Sequence, residues 1–318
     1  MVISFIIIGK NEEKNLERCI NSLYKGIAAI GVSEYEIIYV DSNSTDKSIE
    51  TAASFPEVKI FKITGPSNAA MGRNVGAKHA TGKVLFFVDG DMEIYTDFLS
   101  RYWNRQTNDI DHPIIAGQWL DVIEPEPVKR NSSAIFPGGS FLIKRQVWES
   151  INGMRTRFKT GEESDMMLRL MKKGHRLLRP KDEFIIKHYT VPYMDSSRMW
   201  KSMWNKNIFY NRAVMYRHHF FEANAWDLMW RADKTFILLV LTIIAAIVYW
   251  PVGIALLAGY ILAVVLRAIK TRINVSLPQM IAFYFLSDLL NLVNFFTFYP
   301  KDLKEEYTRV NHRVLEQK

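Results

Sequence analysis

An uncharged run of 32 residues, Thr235–Leu266, constrains the fold of this 318-residue chain more than any other feature. As a single helix it would be ~48 Å long, which exceeds the ~30 Å hydrocarbon core of a bilayer. Trp250-Pro251 lies at its middle, and proline interrupts helices. The run therefore predicts a hairpin of two short helices over residues 235–268 that crosses a membrane or is re-entrant. A buried hairpin of a soluble protein is the alternative.

Basic residues flank the outer ends of this hairpin and are absent from its turn. Arg231 and Lys234 precede it, and Arg267, Lys270 and Arg272 follow it. Because basic loops tend to stay on the cytoplasmic side, both ends of the hairpin are expected there. The rest of the chain is therefore expected at the cytoplasmic face of the cell membrane.

The segments on either side of the hairpin are amphipathic. Residues 196–234 contain seven Lys and Arg against three acids, interleaved with nine aromatic residues. This pattern suits single-stranded nucleic acid or a membrane surface, and the adjoining hairpin favours interfacial helices and no nucleic acid. Residues 277–318 predict a third apolar helix and a basic tail. Asp288, Asn291 and Asn294 recur on one face, so this helix is expected to be interfacial or packed with its polar side inward.

Residues 1–195 have a different pattern, in which short apolar runs alternate with helical segments. This alternation predicts an α/β fold with a mostly parallel sheet and helices on both faces. The single cysteine, Cys19, excludes an intrachain disulfide. The predicted strands are Val2–Ile8, Tyr35–Val40, Val58–Ile63 and Val84–Val88, and the predicted helices are Lys14–Tyr24, Ser48–Ser54 and Ala69–His79.

The second half of this region is less regular. Further strands are predicted at Ile114–Ile123, Ser140–Ile143 and Glu183–His188. A helix is predicted at Met166–Lys173, after the acidic stretch Gly161–Asp165 and before Gly174.

Polar clusters follow three of the predicted strands: Gly9–Glu12, Asp41–Asp46 and Asp89–Asp91. The carboxyl ends of parallel strands meet at one edge of a sheet, where ligands bind. Two carboxylates beside a hydrophobic core are costly unless a cation meets them. The clusters therefore predict a ligand site at this edge, although Asp89-Gly90 as a turn with Asp91 capping a helix is the plainer alternative.

Four stretches in order, IIIGKNEEKNLERCINSL, YVDSNSTDKS, NAAMGRNVGAKHATGKVLFFVDGDM and GEESDMMLRLMKKG, resemble the family 2 glycosyltransferases with a GT-A fold, here a membrane-anchored member. The resemblance covers about residues 1–190. It implies an inverting enzyme that uses a nucleotide-diphosphate sugar and Mg²⁺ or Mn²⁺. The acceptor is expected to be a hydroxyl of a lipid-linked glycan or polysaccharide precursor, and the alternatives are a polyprenyl phosphate or a non-catalytic membrane scaffold.

The resemblance also implies roles for individual residues. Asp91 is expected to ligate the metal, and Asp89 to contact the metal or the ribose. Asn11, Glu12, Asp41 and Arg73 are expected to bind the nucleotide, and His188 to be a late metal ligand or a diphosphate contact. Plainer alternatives are an Asx-turn at Asp41, a solvated Arg73 and a structural His188.

Glu162-Glu163 stands where the family has a Glu-Asp pair whose second acid is the general base. Glu163 is therefore the expected base, which takes the proton of an acceptor hydroxyl. Because glutamate is one methylene longer than aspartate, Glu162 or Asp165 could take this role. An acid-rich helix N-terminus is the structural alternative, and a phosphate acceptor would need no base.

Overall fold

The structure is a computed structural model that describes residues 1–122, 128–129, 136–180, 184–189, 196–204, 208–271 and 275–311. The predicted positions Ile123, Glu183 and Arg272, and the basic tail from residue 312 onward, lie outside the described residues. The chain divides into two compact units. The first comprises residues 1–157, 162–191 and 301–318, and the second comprises residues 158–161 and 192–300.

Strands and helices alternate through the first 90 residues, as the sequence predicts. The strands are β1 (Ile3–Gly9), β2 (Tyr35–Asp41), β3 (Val58–Ile63) and β4 (Val84–Asp89). The helices are α1 (Leu16–Ile30), α2 (Ser48–Ala53) and α3 (Ala69–His79). Helix α1 continues six residues beyond the predicted Tyr24 and ends where Gly31 adopts a left-handed conformation (φ 71°).

The following elements are shorter. They are β5 (Met92–Ile94), α4 (Thr96–Tyr102), β6 (Trp103–Asn104), β7 (Asp109–Ile110), β8 (Ile114–Ile115), β9 (Gln118–Val122), β10 (Val128–Lys129), β11 (Phe141–Lys144), α5 (Arg145–Ser150), α6 (Glu162–Lys172) and β12 (Phe184–Tyr189). The predicted strand Ile114–Ile123 is divided between β8 and β9, which belong to different sheets. The helix predicted from Met166 begins four residues earlier, so its first turn contains the acidic pair Glu162-Glu163.

Among the described residues, the main sheet has the strand order β13-β3-β2-β1-β4-β11-β8, where β13 is Tyr307–Val310. Strands β1 to β4 are parallel to one another. Strand β13 pairs antiparallel with β3, and β11 lies antiparallel between β4 and β8. A second sheet has the order β10-β9-β12-β5, and β6 pairs with β7. The mostly parallel α/β fold is therefore confirmed.

The central strands are buried on both faces, which explains their continuous apolar sequence. In β1, Ile3, Phe5 and Ile7 belong to one core cluster, while Ile6 and Ile8 belong to the other. Helix α1 packs in the first cluster and α3 in the second. At Gly76 of α3 an added Cβ would lie 2.2 Å from Ile6, so only glycine allows this close approach of helix and strand.

The second unit is helical. Its helices are α7 (Ser196–Trp204), α8 (Ile208–His218), α9 (Ala223–Ala232), α10 (Lys234–Val248), α11 (Trp250–Thr271) and α12 (Leu277–Thr297). Helices α10 and α11 pack together as the predicted hairpin, which turns at Tyr249. Helices α11 and α12 are each long and apolar enough to cross a membrane. The polar side chains of α12 are buried, as in the second of its two predicted arrangements: Ser287, Asp288, Asn291 and Asn294.

Candidate functional site

A cleft of about 320 Å³ opens at the carboxyl edge of the parallel strands. It brings together residues from the loops after β1, β2 and β4 with the residues that begin α3. The residues lining it are Ile8, Gly9, Lys10, Glu12, Ser42, Ser67, Asn68, Ala69, Asp89, Gly90 and Asp91. The three polar clusters of the sequence therefore meet at one edge, as the topology requires.

The loop after β1 is tied to the loop after β2. The backbone N–H of Asn11 donates to Ser44 Oγ at 2.9 Å, and Asn11 Oδ1 accepts a hydrogen bond from Thr45 N at 2.9 Å. Asn11 has a left-handed backbone (φ 60°), which asparagine tolerates better than most residues. These contacts hold the two loops together at the base of the cleft, beside Glu12.

Asp41 lies inside the protein, beneath the loop after β2. Its carboxylate is fully buried and accepts hydrogen bonds from Ser44 N at 2.8 Å and from Tyr39 Oη at 3.1 Å. The bond to Ser44 N spans three residues and so differs from the Asx-turn of the plainer alternative, in which the bond spans two. Direct contact of Asp41 with a nucleotide stays a prediction.

Asp89 and Asp91 lie where β4 ends, with Gly90 between them. An added Cβ at Gly90 would lie 3.1 Å from the Glu12 side chain, so the backbone passes closely under the cleft. Gly139 approaches Asp89 still more closely, because a Cβ there would lie 2.1 Å from Asp89 Oδ2. The Pro137-Gly138-Gly139 stretch was visible in the sequence, but nothing local indicated that it faces Asp89.

Arg73 joins the two groups of acids. Its guanidinium is 1% exposed and lies 3.0 Å from Asp89, 3.2 Å from Glu162 and 3.3 Å from Glu163. Burial disfavours its charge, but the three carboxylates outweigh this effect and raise the pKa of Arg73. The expected nucleobase contact of Arg73 stays a prediction, and the structure instead connects it to the acids at the end of β4 and the start of α6.

One arginine cannot neutralise so many neighbouring carboxylates. Burial raises the pKa of Asp89 to about 6, against the opposing effect of Arg73, and the negative charge of Asp91 adds to the increase. Burial also raises the pKa of Glu12 to about 7 and that of Glu163 above its usual range. Such shifts are typical of sites that bind a cation or transfer a proton.

The other acids of α6 differ in their surroundings. Asp165 is fully buried, and its oxygens accept hydrogen bonds from Arg155 at 2.9 Å and from Arg169 at 2.8 Å. Glu162 is also buried, whereas the Glu163 side chain is 22% exposed. Of the three candidates for a base, Glu163 therefore has the most access to an acceptor.

His188 belongs to strand β12, and its side chain lies beside Asp91. Its Nε2 is 3.1 Å from Asp91 Oδ2, and its Nδ1 is 2.8 Å from Asp121 Oδ1. Burial disfavours the imidazolium, but the two carboxylates outweigh this effect and raise the pKa of His188. The structure thus brings His188 to the acids at the end of β4, together with Asp121, which the sequence did not indicate.

The residues at Asp91 fit a divalent cation. Asp91 Oδ1 is buried and has no hydrogen-bond partner among the described residues, which is costly for a carboxylate oxygen unless a cation binds it. No three acidic, histidine or cysteine side chains in the described ranges converge as a preformed metal cage. Mg²⁺ commonly binds through one or two carboxylates and completes its ligands with substrate phosphates and water. Asp91, Asp89 and His188 are the side chains that could hold it.

Several solved structures share this fold. A mannosyltransferase from Pyrobaculum calidifontis, solved with GDP-mannose and Mn²⁺, matches 91% of this chain and 86% of its own with a TM-score of 0.56 and 16% identity. The TarS protein of S. aureus, residues 1–349, matches 68% of this chain and 64% of its own with a TM-score of 0.51 and 16% identity. At this identity the likeness concerns the fold.

Sequence relatives are similar over shorter stretches. Glycosyltransferase AglE of Haloferax volcanii is 29% identical over 31% of this chain and 33% of its own length. A poly(ribitol-phosphate) beta-glucosyltransferase of Bacillus spizizenii is 31% identical over 33% of this chain and 17% of its own. The chain thus spans a third or less of the length of these two relatives. The profile of glycosyl transferase family 2 matches residues 4–166, about half of the chain, and the chain therefore belongs to this family.

Proposed function

We propose that this protein is a membrane-associated, metal-dependent inverting glycosyltransferase that moves a sugar from a nucleotide-diphosphate sugar to a hydroxyl of a lipid-linked glycan or polysaccharide precursor. The observation that carries the proposal is the meeting of Asp89 and Asp91 with the tips of β1 and β2 in one cleft. Family 2 membership supports the reaction type. The structural neighbours solved with GDP-mannose and UDP-GlcNAc support a nucleotide-sugar donor.

The donor would lie with its diphosphate beside Asp91 and the first residues of α3. Ser67 and Asn68 line the cleft there, and the unpaired N–H groups of a helix N-terminus favour phosphate oxygens. Lys10 lines the same cleft and adds a positive charge. A Mg²⁺ or Mn²⁺ held by Asp91, with Asp89 and His188 beside it, would supply charge for the departing diphosphate.

Glu163 is the proposed general base. Its raised pKa favours proton uptake near neutral pH, and its exposed fraction leaves room for an acceptor hydroxyl. The oxygen of that hydroxyl loses its proton to Glu163 and attacks the anomeric carbon on the face opposite the leaving diphosphate. A single displacement of this kind inverts the configuration at the anomeric carbon. Arg73, which contacts both Glu163 and Asp89, would hold the base at a fixed distance from the leaving group.

Transfer of labelled sugar from UDP- and GDP-sugars to a membrane lipid extract tests this function. We expect a labelled lipid product with the wild-type protein and none with Asp91→Asn. Asp97→Asn is a matched control, because Asp97 is an exposed acid of α4 whose ion pair among the described residues is with Arg101 of the same helix. Full activity of Asp91→Asn in the presence of a chelator would contradict the metal-dependent reaction.

The proposed membrane arrangement is supported by the return of the chain to its sheet after the helical segment. Residues up to 189 and strand β13 both belong to the first unit, in which β13 pairs with β3. This pairing supports an arrangement in which the two ends of the helical segment lie on the same side of a membrane, with an even number of crossings. Basic residues precede α10 and follow α11 and α12. This pattern supports a hairpin of α10 and α11 that enters from the cytoplasm and an α12 that does not cross.

Cysteine labelling tests this arrangement, because the native Cys19 is buried. Lys270→Cys and Lys304→Cys place exposed thiols before and after α12. Both should react with a membrane-impermeant maleimide from the cytoplasmic side only. Labelling of the two positions from opposite sides would show that α12 crosses the membrane.

A further inference from the structure

The pairing of two strands places Asp121 behind His188. Asp121 lies on β9, His188 lies on the parallel neighbour β12, and the two residues are partners in the register of this pair. On its other side, His188 is paired with Met92 of β5. Met92 follows Asp91 directly in the sequence. The imidazole is therefore held between two carboxylates by backbone pairing on both sides.

Asp121 does not line the cleft, and its side chain is only 4% exposed. A buried carboxylate is costly unless its hydrogen bonds are satisfied. Asp121 contacts the ring nitrogen of His188 that points away from Asp91, at 2.8 Å. A carboxylate in this position behind a histidine resembles the partner that usually orients a metal-bound imidazole.

We propose that Asp121 is a positioning residue that directs Nε2 of His188 toward a divalent cation bound at Asp91. By accepting the Nδ1–H of His188, Asp121 selects the tautomer whose Nε2 carries no proton and can bind a cation held by Asp91, whose Oδ2 lies 3.1 Å away. Asp121 also fixes the plane of the ring. This inference rests on the proposed function, because it assigns Asp121 to the metal of that site.

Metal affinity, measured without turnover, tests this role. Mn²⁺ is titrated into the protein in the presence of UDP and, separately, of GDP, and free Mn²⁺ is measured by electron paramagnetic resonance. Asp121→Asn should weaken Mn²⁺ binding about 10- to 100-fold, the usual effect of losing such a partner. His188→Gln should weaken it at least as much. The double variant should be no weaker than His188→Gln, because Asp121 acts only through His188.

Glu93→Gln is the matched control. Glu93 lies on β5, in the second sheet with β9 and β12. It accepts a hydrogen bond from Tyr189, the residue after His188, at 2.6 Å. Its loss should leave Mn²⁺ affinity within about twofold of wild type. The inference is overturned if Asp121→Asn or His188→Gln binds Mn²⁺ as tightly as the wild type, or if their effects add. Since His188→Gln leaves Asp121 in place, this outcome can be obtained even if Asp121→Asn does not fold.

The test separates this inference from the proposed function. Dependence of Mn²⁺ binding on Asp121 in a protein that transfers no sugar would support the positioning role and contradict the transferase. Sugar transfer with an unchanged Mn²⁺ requirement in Asp121→Asn would support the transferase and contradict the positioning role.

Discussion

Buried acids have opposite surroundings at two edges of the central sheet, the amino edge where its parallel strands begin and the carboxyl edge where they end. At the amino edge, Glu36 is 5% exposed and accepts hydrogen bonds from Ser4 Oγ, Thr81 N, Thr81 Oγ1 and Lys59 Nζ. Burial works against its charge, but these donors outweigh burial and lower the pKa of Glu36 to about 2. The sheet is therefore stabilised at this edge by an ionised and satisfied carboxylate.

At the carboxyl edge the acids outnumber their donors. Asp89, Glu162 and Glu163 share the guanidinium of Arg73, and one buried oxygen of Asp91 has no partner among the described residues. Burial raises the pKa values of Asp89 and Glu163, which is the reverse of the shift at Glu36. We therefore expect the acid of the amino edge to serve stability, whereas the proposed function assigns the acids of the carboxyl edge to binding and catalysis.

The largest expected effect is that of Asp91→Asn on catalysis. Removal of the charge that would hold the cation should lower kcat/KM by a factor of about 100 or more, since the cation contributes several kcal/mol to such reactions. The free energy of unfolding should stay the same or rise, because the substitution removes a charge whose buried Oδ1 has no hydrogen-bond partner within the described part of the chain. Steady-state kinetics and urea unfolding of the same preparation measure both. A large loss of stability with little loss of activity would reverse the comparison.

Glu163→Gln should have the next largest effect. Loss of a general base commonly lowers the rate 10²- to 10⁴-fold, and the variant keeps the shape of the side chain. Its thermal stability should change little, because Arg73 keeps its ion pairs with Asp89 and Glu162. A rate within about threefold of wild type would exclude Glu163 as the base and would favour an acceptor that is already ionised, such as a phosphate.

Glu36→Gln should give the opposite pattern. The variant loses a charge that receives several short hydrogen bonds, each worth about 1.5–3 kcal/mol when one partner is charged. The free energy of unfolding should fall by about 2–3 kcal/mol while kcat/KM of the folded protein is unchanged. Glu50→Gln, at an exposed position of α2, is the control. A Glu36→Gln protein as stable as this control would show that the amino edge does not depend on the ionised acid.

The pH dependence of unfolding sharpens this comparison further. The pKa of Glu36 is lower in the folded state, about 2, than its ordinary value of 4.5. Its contribution to stability is therefore fully present above about pH 5 and is lost as the pH falls toward 2. The difference in unfolding free energy between wild type and Glu36→Gln should shrink over this range. A difference that stays constant down to pH 2 would contradict the lowered pKa.

An exposed pair should give the smallest effect. Lys78 Nζ lies 2.8 Å from Glu305 at the surface, beside the strand that returns to the sheet. Solvent screens such pairs, so Glu305→Gln should change the free energy of unfolding by less than about 1 kcal/mol and leave activity unchanged. A larger loss in urea unfolding would mean that the return of the chain depends on this pair.

The central sheet and the position of the cleft were predictable because they depend on local patterns. The run that becomes β4 is apolar from Val84 to Val88, that of β1 is apolar except for Ser4, and polar residues follow where each strand ends. The parallel topology then brings these ends together. Family resemblance added the expected roles of Asp91 and Glu163, which the residues alone did not distinguish.

Contacts between distant segments were not predictable in this way. Asp121 stands in a stretch that was predicted as one strand, and its contact with His188 depends on the register of β9 and β12. Strand β13 is short and polar, and its partner β3 lies more than 240 residues earlier in the sequence. The burial of Arg73 among three acids likewise requires the packing of α3 against the start of α6.

Calorimetric titration of UDP and GDP, with Mn²⁺ and with a chelator, tests the central claim most directly. The claim is that the acids at the end of β4 hold a cation for a nucleoside diphosphate. We expect wild type and Glu36→Gln to bind at least one of the two nucleotides only when Mn²⁺ is present, and Asp91→Asn to bind neither under either condition. Equal binding by wild type and Asp91→Asn, or binding that is unchanged by the chelator, would contradict the account.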